Sequence, residues 1–179
     1  MKLIKIRSQN EMDLKKLSDI GLIWIQNFLT HAEADAAVKN IPPTNIMKTK
    51  ARNSTRRYGT QFPYEGGIIR GPVPEYLEAL NRKIVENGLS TQTYQSISIN
   101  EYLPGNSIAP HIDNRESGET IAIITLMGSA EIRFELDDIV YDLLLEPGSL
   151  IQMRGDSRWK WNHSIPAVRE KRYSIVFRC

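Results

Sequence analysis

Three side chains able to bind a metal stand out. His111 and Asp113 flank Ile112, and in an extended segment residues i and i+2 point to the same side, so the imidazole and the carboxylate can converge. An HxD triplet alone is common enough by chance to carry little. His163 raises its weight: two imidazoles and one carboxylate hold a metal while leaving three positions open, the arrangement of non-haem Fe(II) centres that also bind a co-substrate and dioxygen. A zinc hydrolase could use the same three residues, and a satisfied loop pair would need no metal.

A second set lies at the C-terminus. In Arg172-Tyr173-Ser174-Ile175-Val176-Phe177-Arg178, strand periodicity puts Arg172, Ser174, Val176 and Arg178 on one face and Tyr173, Ile175 and Phe177 on the other. If the aromatic face is core, both arginines share a polar interior. Such a strand spans about 20 Å, and two guanidinium arms leaning together leave a gap fitting a short dicarboxylate, which they can pair bidentately while staying charged. Two surface arginines on an edge strand are the alternative, and they leave the metal set uncompanioned. In Tyr94 to Tyr102, Ser96, Ser98, Asn100 and Tyr102 share one face and Ile97 and Ile99 the other, so Asn100 and Tyr102 can enter the same pocket; ordinary solvent-facing alternation reads identically.

The elements that must position these groups divide the chain into two parts. Thr30-His31-Ala32-Glu33 is a capping box opening a helix to about Lys39, stopped by Pro42-Pro43. Residues 44–63 show no sustained period and read as a mobile surface loop or hairpin. A second helix fits Pro74 to Asn87, with Tyr76, Leu77, Leu80 and Ile84 as its apolar stripe and Gly88 where a helix ends. Beyond residue 90 the period changes to two. Tyr94–Leu103, Thr120–Leu126, Glu131–Leu136, Ile139–Leu145, Ser149–Met153 and Arg172–Arg178 read as strands separated by turn residues. The expected fold is α+β and mainly β, an antiparallel barrel or sandwich with the first-half helices packed outside it.

Composition bounds the rest. At 179 residues, 41% apolar and 25% charged, the chain has the size and balance of one globular domain. Its single cysteine is Cys179, so no internal disulfide forms and a reducing, cytoplasmic setting is expected, or the nucleus in a eukaryote. No segment approaches a membrane span; the longest candidate, Ile20 to Leu29, is broken by Gln26 and Asn27. The net charge of +2 conceals opposing runs. Lys48 to Arg57 carries five bases and no acid, while Glu131 to Glu146 carries six acids against Arg133. Solvated loops explain such runs; a basic rim for a polyanion is the sharper reading.

The ordered series Asn100-x-Tyr102-x-Pro104-Gly105, His111-x-Asp113, Gly155-Asp156-Ser157-Arg158, Trp161-Asn162-His163-Ser164-Ile165 and Arg172-x-Ser174-x-x-Phe177-Arg178 resembles the AlkB family of Fe(II)- and 2-oxoglutarate-dependent dioxygenases. Upstream, Arg56-Arg57-Tyr58-Gly59 and Phe62 resemble that family's nucleotide-recognition segment, and the flavour is nearest to members acting on tRNA. The resemblance implies a double-stranded β-helix (jelly-roll) core over residues 96–179, with a helical and loop-rich part over 1–95 carrying the recognition lid. His111, Asp113 and His163 would bind Fe(II) and carry the catalysis. Arg178 would meet the keto-acid end of 2-oxoglutarate and Arg172 its far carboxylate, with Asn100, Tyr102 and Ser174 adding contacts; Ser174 stands where some members have Asn.

On the substrate side the resemblance implies Arg56, Arg57, Tyr58, Phe62, Tyr64, Arg115 and Arg158, with Arg115 standing where some repair enzymes have an acid. The implied reaction uses dioxygen and 2-oxoglutarate to hydroxylate a carbon of a modified nucleobase in DNA or RNA, including tRNA. On an N-methyl group the hemiaminal then loses formaldehyde, which is oxidative demethylation. A monomer suffices for it. The alternatives are the same chemistry on a protein side chain or small molecule, and a non-catalytic nucleic-acid-binding module on the same fold.

Overall fold

Apolar residues at every second position dominate the later half of the chain, and they fold as strands. The computed structural model describes residues 2–6, 11–43, 53–61 and 67–178. The first part holds β1 (Lys2–Ile6), α1 (Glu11–Asp19), β2 (Leu22–Ile25), α2 (His31–Lys39), β3 (Ser54–Gln61), β4 (Ile69–Arg70) and α3 (Glu75–Glu86). Then come β5 (Ser96–Tyr102), β6 (Ile108–His111), β7 (Ile121–Met127), β8 (Ala130–Leu136), β9 (Ile139–Leu145) and β10 (Leu150–Met153). The short α4 (Asp156–Trp159) leads into β11 (Asn162–Ile165), and β12 (Arg172–Arg178) closes the series.

The strands form two sheets, β2-β10-β7-β12-β5-β3-β4 and β1-β9-β8-β11-β6. Every pairing is antiparallel except β1 on β9. One apolar cluster fills the space between the sheets, with Ile121, Ile151 and Val176 from the larger meeting Ile132, Phe134 and Leu143 from the smaller. A second cluster lies on the outer face of the larger sheet, where Ala34 and Ala37 of α2 and Leu77 and Ile84 of α3 cover Ile97, Ile99, Ile175 and Phe177. This is the jelly-roll core with helices packed outside it. Among the described residues no helix is long and apolar enough to cross a membrane.

Both expected helices form. The Thr30 hydroxyl accepts from the Glu33 amide at 3.2 Å, and the Glu33 carboxylate accepts from the Thr30 amide at 2.8 Å, so two free N–H groups are served reciprocally. The first part of the chain differs from the expected helix-and-loop character, because it also supplies strands to both sheets. β1 and β2 have five and four residues, too few periods to stand out from a sequence, and each forms by adding to an edge that β9 or β10 offers. Within the stretch read as a loop or hairpin, β3 pairs with β5 at six positions and with β4 as a hairpin. Its sequence STRRYGTQ lacks apolar alternation because only Gly59 is buried; β5 supplies the main-chain partners. Lys48, Lys50, Arg52, Phe62 and Tyr64 lie outside the described residues.

Lys83, by its hydrogen bond, and the Thr30 groups hold the Glu33 carboxyl down to about 2. A carboxyl with a depressed folded value contributes stability that is complete above its ordinary value and lost as pH falls toward 2. Both side chains are partly solvated, so the contribution is screened to about 0.5 kcal/mol. Thr30→Ala should lower stability by about 1 kcal/mol. Denaturant unfolding should show Glu33→Gln less stable than wild type at pH 7 and level with it near pH 2.

Candidate active site

Strand register brings the histidines together. β6 ends at His111, and β11 places His163 directly opposite it, with ring centroids 4.3 Å apart. His163 sits inside a strand that was not among those expected from the sequence; four residues between β8 and β6 are again too short to read. Asp113 lies two residues beyond β6, and its Oδ1 comes 3.6 Å from His111 Nε2. One donor atom from each of the three falls within 4.8 Å of the others. The HxD spacing therefore does converge on His163.

The protonation states suit a metal. His111 Nδ1 lies 2.9 Å from the Ala109 carbonyl, which fixes Nδ1 as donor and turns Nε2 toward the cluster, where loss of its proton would free a lone pair for a metal. Its hydrogen bond with Asp113 pushes the His111 value up. Burial, with the neighbouring His111, pushes His163 down to about 4. Burial opposes ionisation of Asp113, but the His111 hydrogen bond and the Arg178 guanidinium overcome it and hold the carboxyl well below its ordinary range. At neutral pH His163 is uncharged and Asp113 ionised, the forms that coordinate a metal.

β12 lies between β7 and β5, and its alternation is as expected: Ile175 and Phe177 enter the helix-side core, while Arg172, Ser174, Val176 and Arg178 line the pocket beside His111, Asp113 and His163. Arg178 Nε is 3.7 Å from Asp113 Oδ2, and its Nη1 donates to Ser98 Oγ at 2.8 Å. Arg172 is 1% exposed. It donates to Thr125 Oγ1 at 3.0 Å and lies over the Tyr102 ring at 5.0 Å, yet its Nε has no hydrogen-bond partner and no described carboxylate pairs with it. Burial lowers its value and burial of Tyr102 raises the phenol, countered by that guanidinium. An enclosed cation without an anion is costly, so the inner end of this pocket fits an anionic group.

Asn100 and Tyr102 line the same pocket. Thr55 Oγ1 donates to Asn100 Oδ1 at 2.8 Å, which leaves the Asn100 amide N–H groups for the cavity. Sequence reasoning passed over Thr55 and Thr125. Thr125 had a signal, as the one polar residue in the run IAIITLM; Thr55 had none.

The substrate-side residues divide by the pleat of β3. Thr55 opposes Asn100 and Arg57 opposes Ser98, on the pocket face. Arg56 and Tyr58 oppose Ile99 and Ile97, on the helix side, where Arg56 Nη2 reaches the Pro42 carbonyl at 2.7 Å and Tyr58 packs against the core. Adjacent strand residues face opposite ways, so Arg56 and Tyr58, both expected on the substrate side, lie on the helix side of β3. Arg57 and Arg115 are exposed. Arg158, expected among substrate contacts, is instead buried beneath the loop that follows Asp113.

The sequence model of the 2OG-Fe(II) oxygenase superfamily matches residues 44–178. The chain belongs to the 2OG-Fe(II) oxygenase superfamily. This oxygenase is 28% identical over 157 residues to the tRNA (carboxymethyluridine(34)-5-O)-methyltransferase alkbh8 of Xenopus tropicalis, covering 81% of this chain and 25% of that protein. It is 29% identical over 158 residues to the RNA demethylase ALKBH9B of Arabidopsis thaliana, covering 76% of this chain and 31% of the relative. The chain therefore spans about a quarter to a third of these relatives. A solved 2OG-Fe(II) oxygenase family oxidoreductase from Burkholderia pseudomallei has the same fold, with a TM-score of 0.70 at 16% identity over 99% of this chain and 94% of that one. The superfamily's members use Fe(II) and 2-oxoglutarate, together with dioxygen. The two-imidazole, one-carboxylate donor set and the unpaired Arg172 fit that pair of ligands.

Saturating Mn(II) and 2-oxoglutarate at a hundredfold over Kd should stabilise the wild type by about 2.7 kcal/mol, a Tm rise of roughly 5–10 °C for this size. Arg172→Met should lose that rise while its unliganded Tm stays equal to or above wild type, since a buried, unpaired charge is removed. Thermal denaturation with and without 2-oxoglutarate checks both.

Proposed function

We propose that this 2OG-Fe(II) oxygenase hydroxylates a carbon of an alkylated or otherwise modified nucleobase in RNA or DNA, and that where this carbon is an N-methyl group the outcome is demethylation. The observation that carries the reading is the cluster His111, Asp113 and His163 at one end of a pocket whose other end is the uncompensated guanidinium of Arg172.

In this reading His111, Asp113 and His163 hold Fe(II), Arg178 meets the keto-acid end of 2-oxoglutarate, and Arg172 neutralises its distal carboxylate. Bound together, the metal, 2-oxoglutarate and dioxygen supply the hydroxylation, with succinate and carbon dioxide as co-products. The protein's part is placement. Asn100 donates into the pocket because Thr55 occupies its carbonyl; Tyr102, its phenol kept protonated by burial, stacks under Arg172. Ile123, Ile132, Leu145 and Val176 line the remaining wall and exclude water, which strengthens the arginine–carboxylate pairing. A base reaches such a site only after leaving its stack. Arg57, exposed on the pocket face of β3, and Arg115, exposed two residues past Asp113, are placed to meet phosphates. The likeness to a tRNA methyltransferase and an RNA demethylase supports an RNA substrate over a protein one.

Anaerobic addition of Fe(II) and then 2-oxoglutarate should give a visible charge-transfer band, absent in Asp113→Ala; no band with wild type sinks the reading. Succinate release with methylated RNA and DNA oligonucleotides then identifies the substrate. Arg57→Glu should weaken oligonucleotide binding and reduce its log–log salt slope by about 1, with the charge-transfer band retained. If the wild type binds no oligonucleotide at low salt, the nucleic-acid assignment fails.

A further inference from the structure

We propose that Arg158 is a positioning residue for the metal centre: it clamps the backbone of the loop carrying Asp113 and thereby sets where that carboxylate meets His111 and His163. The inference rests on these three side chains being the metal ligands.

Arg158 is 2% exposed, and each of its nitrogens donates to a main-chain carbonyl of one loop. Nε reaches Gly118 at 2.9 Å, Nη1 reaches Asp113 at 3.0 Å and Nη2 reaches Asn114 at 2.5 Å. No described carboxylate forms an ion pair with it. A buried cation satisfied only by neutral carbonyls is a poor way to gain stability, since an apolar side chain of similar volume fills such space at lower cost. Only a guanidinium offers a rigid planar fork that engages three carbonyls at once.

The loop is shaped to receive it. A single 3₁₀ turn spans Arg115–Ser117, Ser117 Oγ donates to Asn114 Oδ1 at 2.5 Å, and Gly118 sits at φ 82°, where glycine is at ease and other residues are strained. That turn directs the Gly118 carbonyl back toward those of Asp113 and Asn114. Asp113 itself lies beyond β6, so no ladder bond fixes its backbone; pinning its carbonyl fixes the direction of its side chain.

The other end of the clamp is equally firm. The guanidinium stacks on Trp159 at 4.1 Å, and the neighbouring Ser157 is tied to Ile20 through its amide at 2.7 Å and to Gly21 through its hydroxyl at 3.1 Å. α4 then runs into β11, where His163 stands five residues after Arg158. One side chain therefore joins the Asp113 segment to the His163 segment.

Titrating Co(II) into metal-free protein, read by its d–d absorption, tests this without turnover. Arg158→Lys, which keeps the charge but reaches fewer carbonyls, should weaken Co(II) binding at least tenfold and alter the d–d band shape, as should Arg158→Met. Thr30→Ala, which lowers global stability far from the site, should bind Co(II) as wild type does. Should Arg158→Met fail to fold, the lysine variant decides alone. Folded Arg158→Lys protein with affinity within twofold of wild type overturns the proposal, as does a loss of affinity that Thr30→Ala shares. Wild-type protein that binds no Co(II) overturns the metal-centre assignment itself.

Discussion

A strand buried on both faces, with charge on one of them, is the constraint on which the rest of the architecture depends. β12 must sit in the middle of the larger sheet, because Ile175 and Phe177 need the helices on one side and Arg172 cannot face apolar side chains on the other. The sheet meets this by gathering polar groups opposite it: Thr125 on β7, Asn100 and Tyr102 on β5. The second sheet then closes over the charge, bringing His111 and His163 with it. The pocket is the space left by a core that had to accommodate a cation.

That logic explains how much could be read from the sequence. β5 and β12 were legible because each is seven residues long and alternates polar and apolar over its first four or five positions, so both faces are encoded. The cluster of His111, Asp113 and His163 was legible because it needs only residue types and one local spacing. β1, β2 and β11 were not, since four or five residues carry too little period and their pairing comes from edges elsewhere in the chain.

The substrate side was hard to read for a different reason. Arg56-Arg57-Tyr58-Gly59 is one motif as a string, but a pleated strand splits it into two populations that never meet the same ligand. The place of Arg158 was not legible because a guanidinium that binds phosphate and one that braces carbonyls have the same sequence signature; only burial and bond geometry separate them.

The pairing of β3 with β5 has a consequence for how such a protein can vary. A slip of one residue would exchange Arg57 for Arg56 beside Ser98, turn Tyr58 toward the pocket and break the Thr55–Asn100 bond. Insertions or deletions within β3 are therefore paid for in the co-substrate pocket as well as on the rim. Substrate preference in a lineage carrying this strand can drift by replacing side chains at positions 57 and 61, or by changing the length of the segments that flank it, but not by changing the length of the strand.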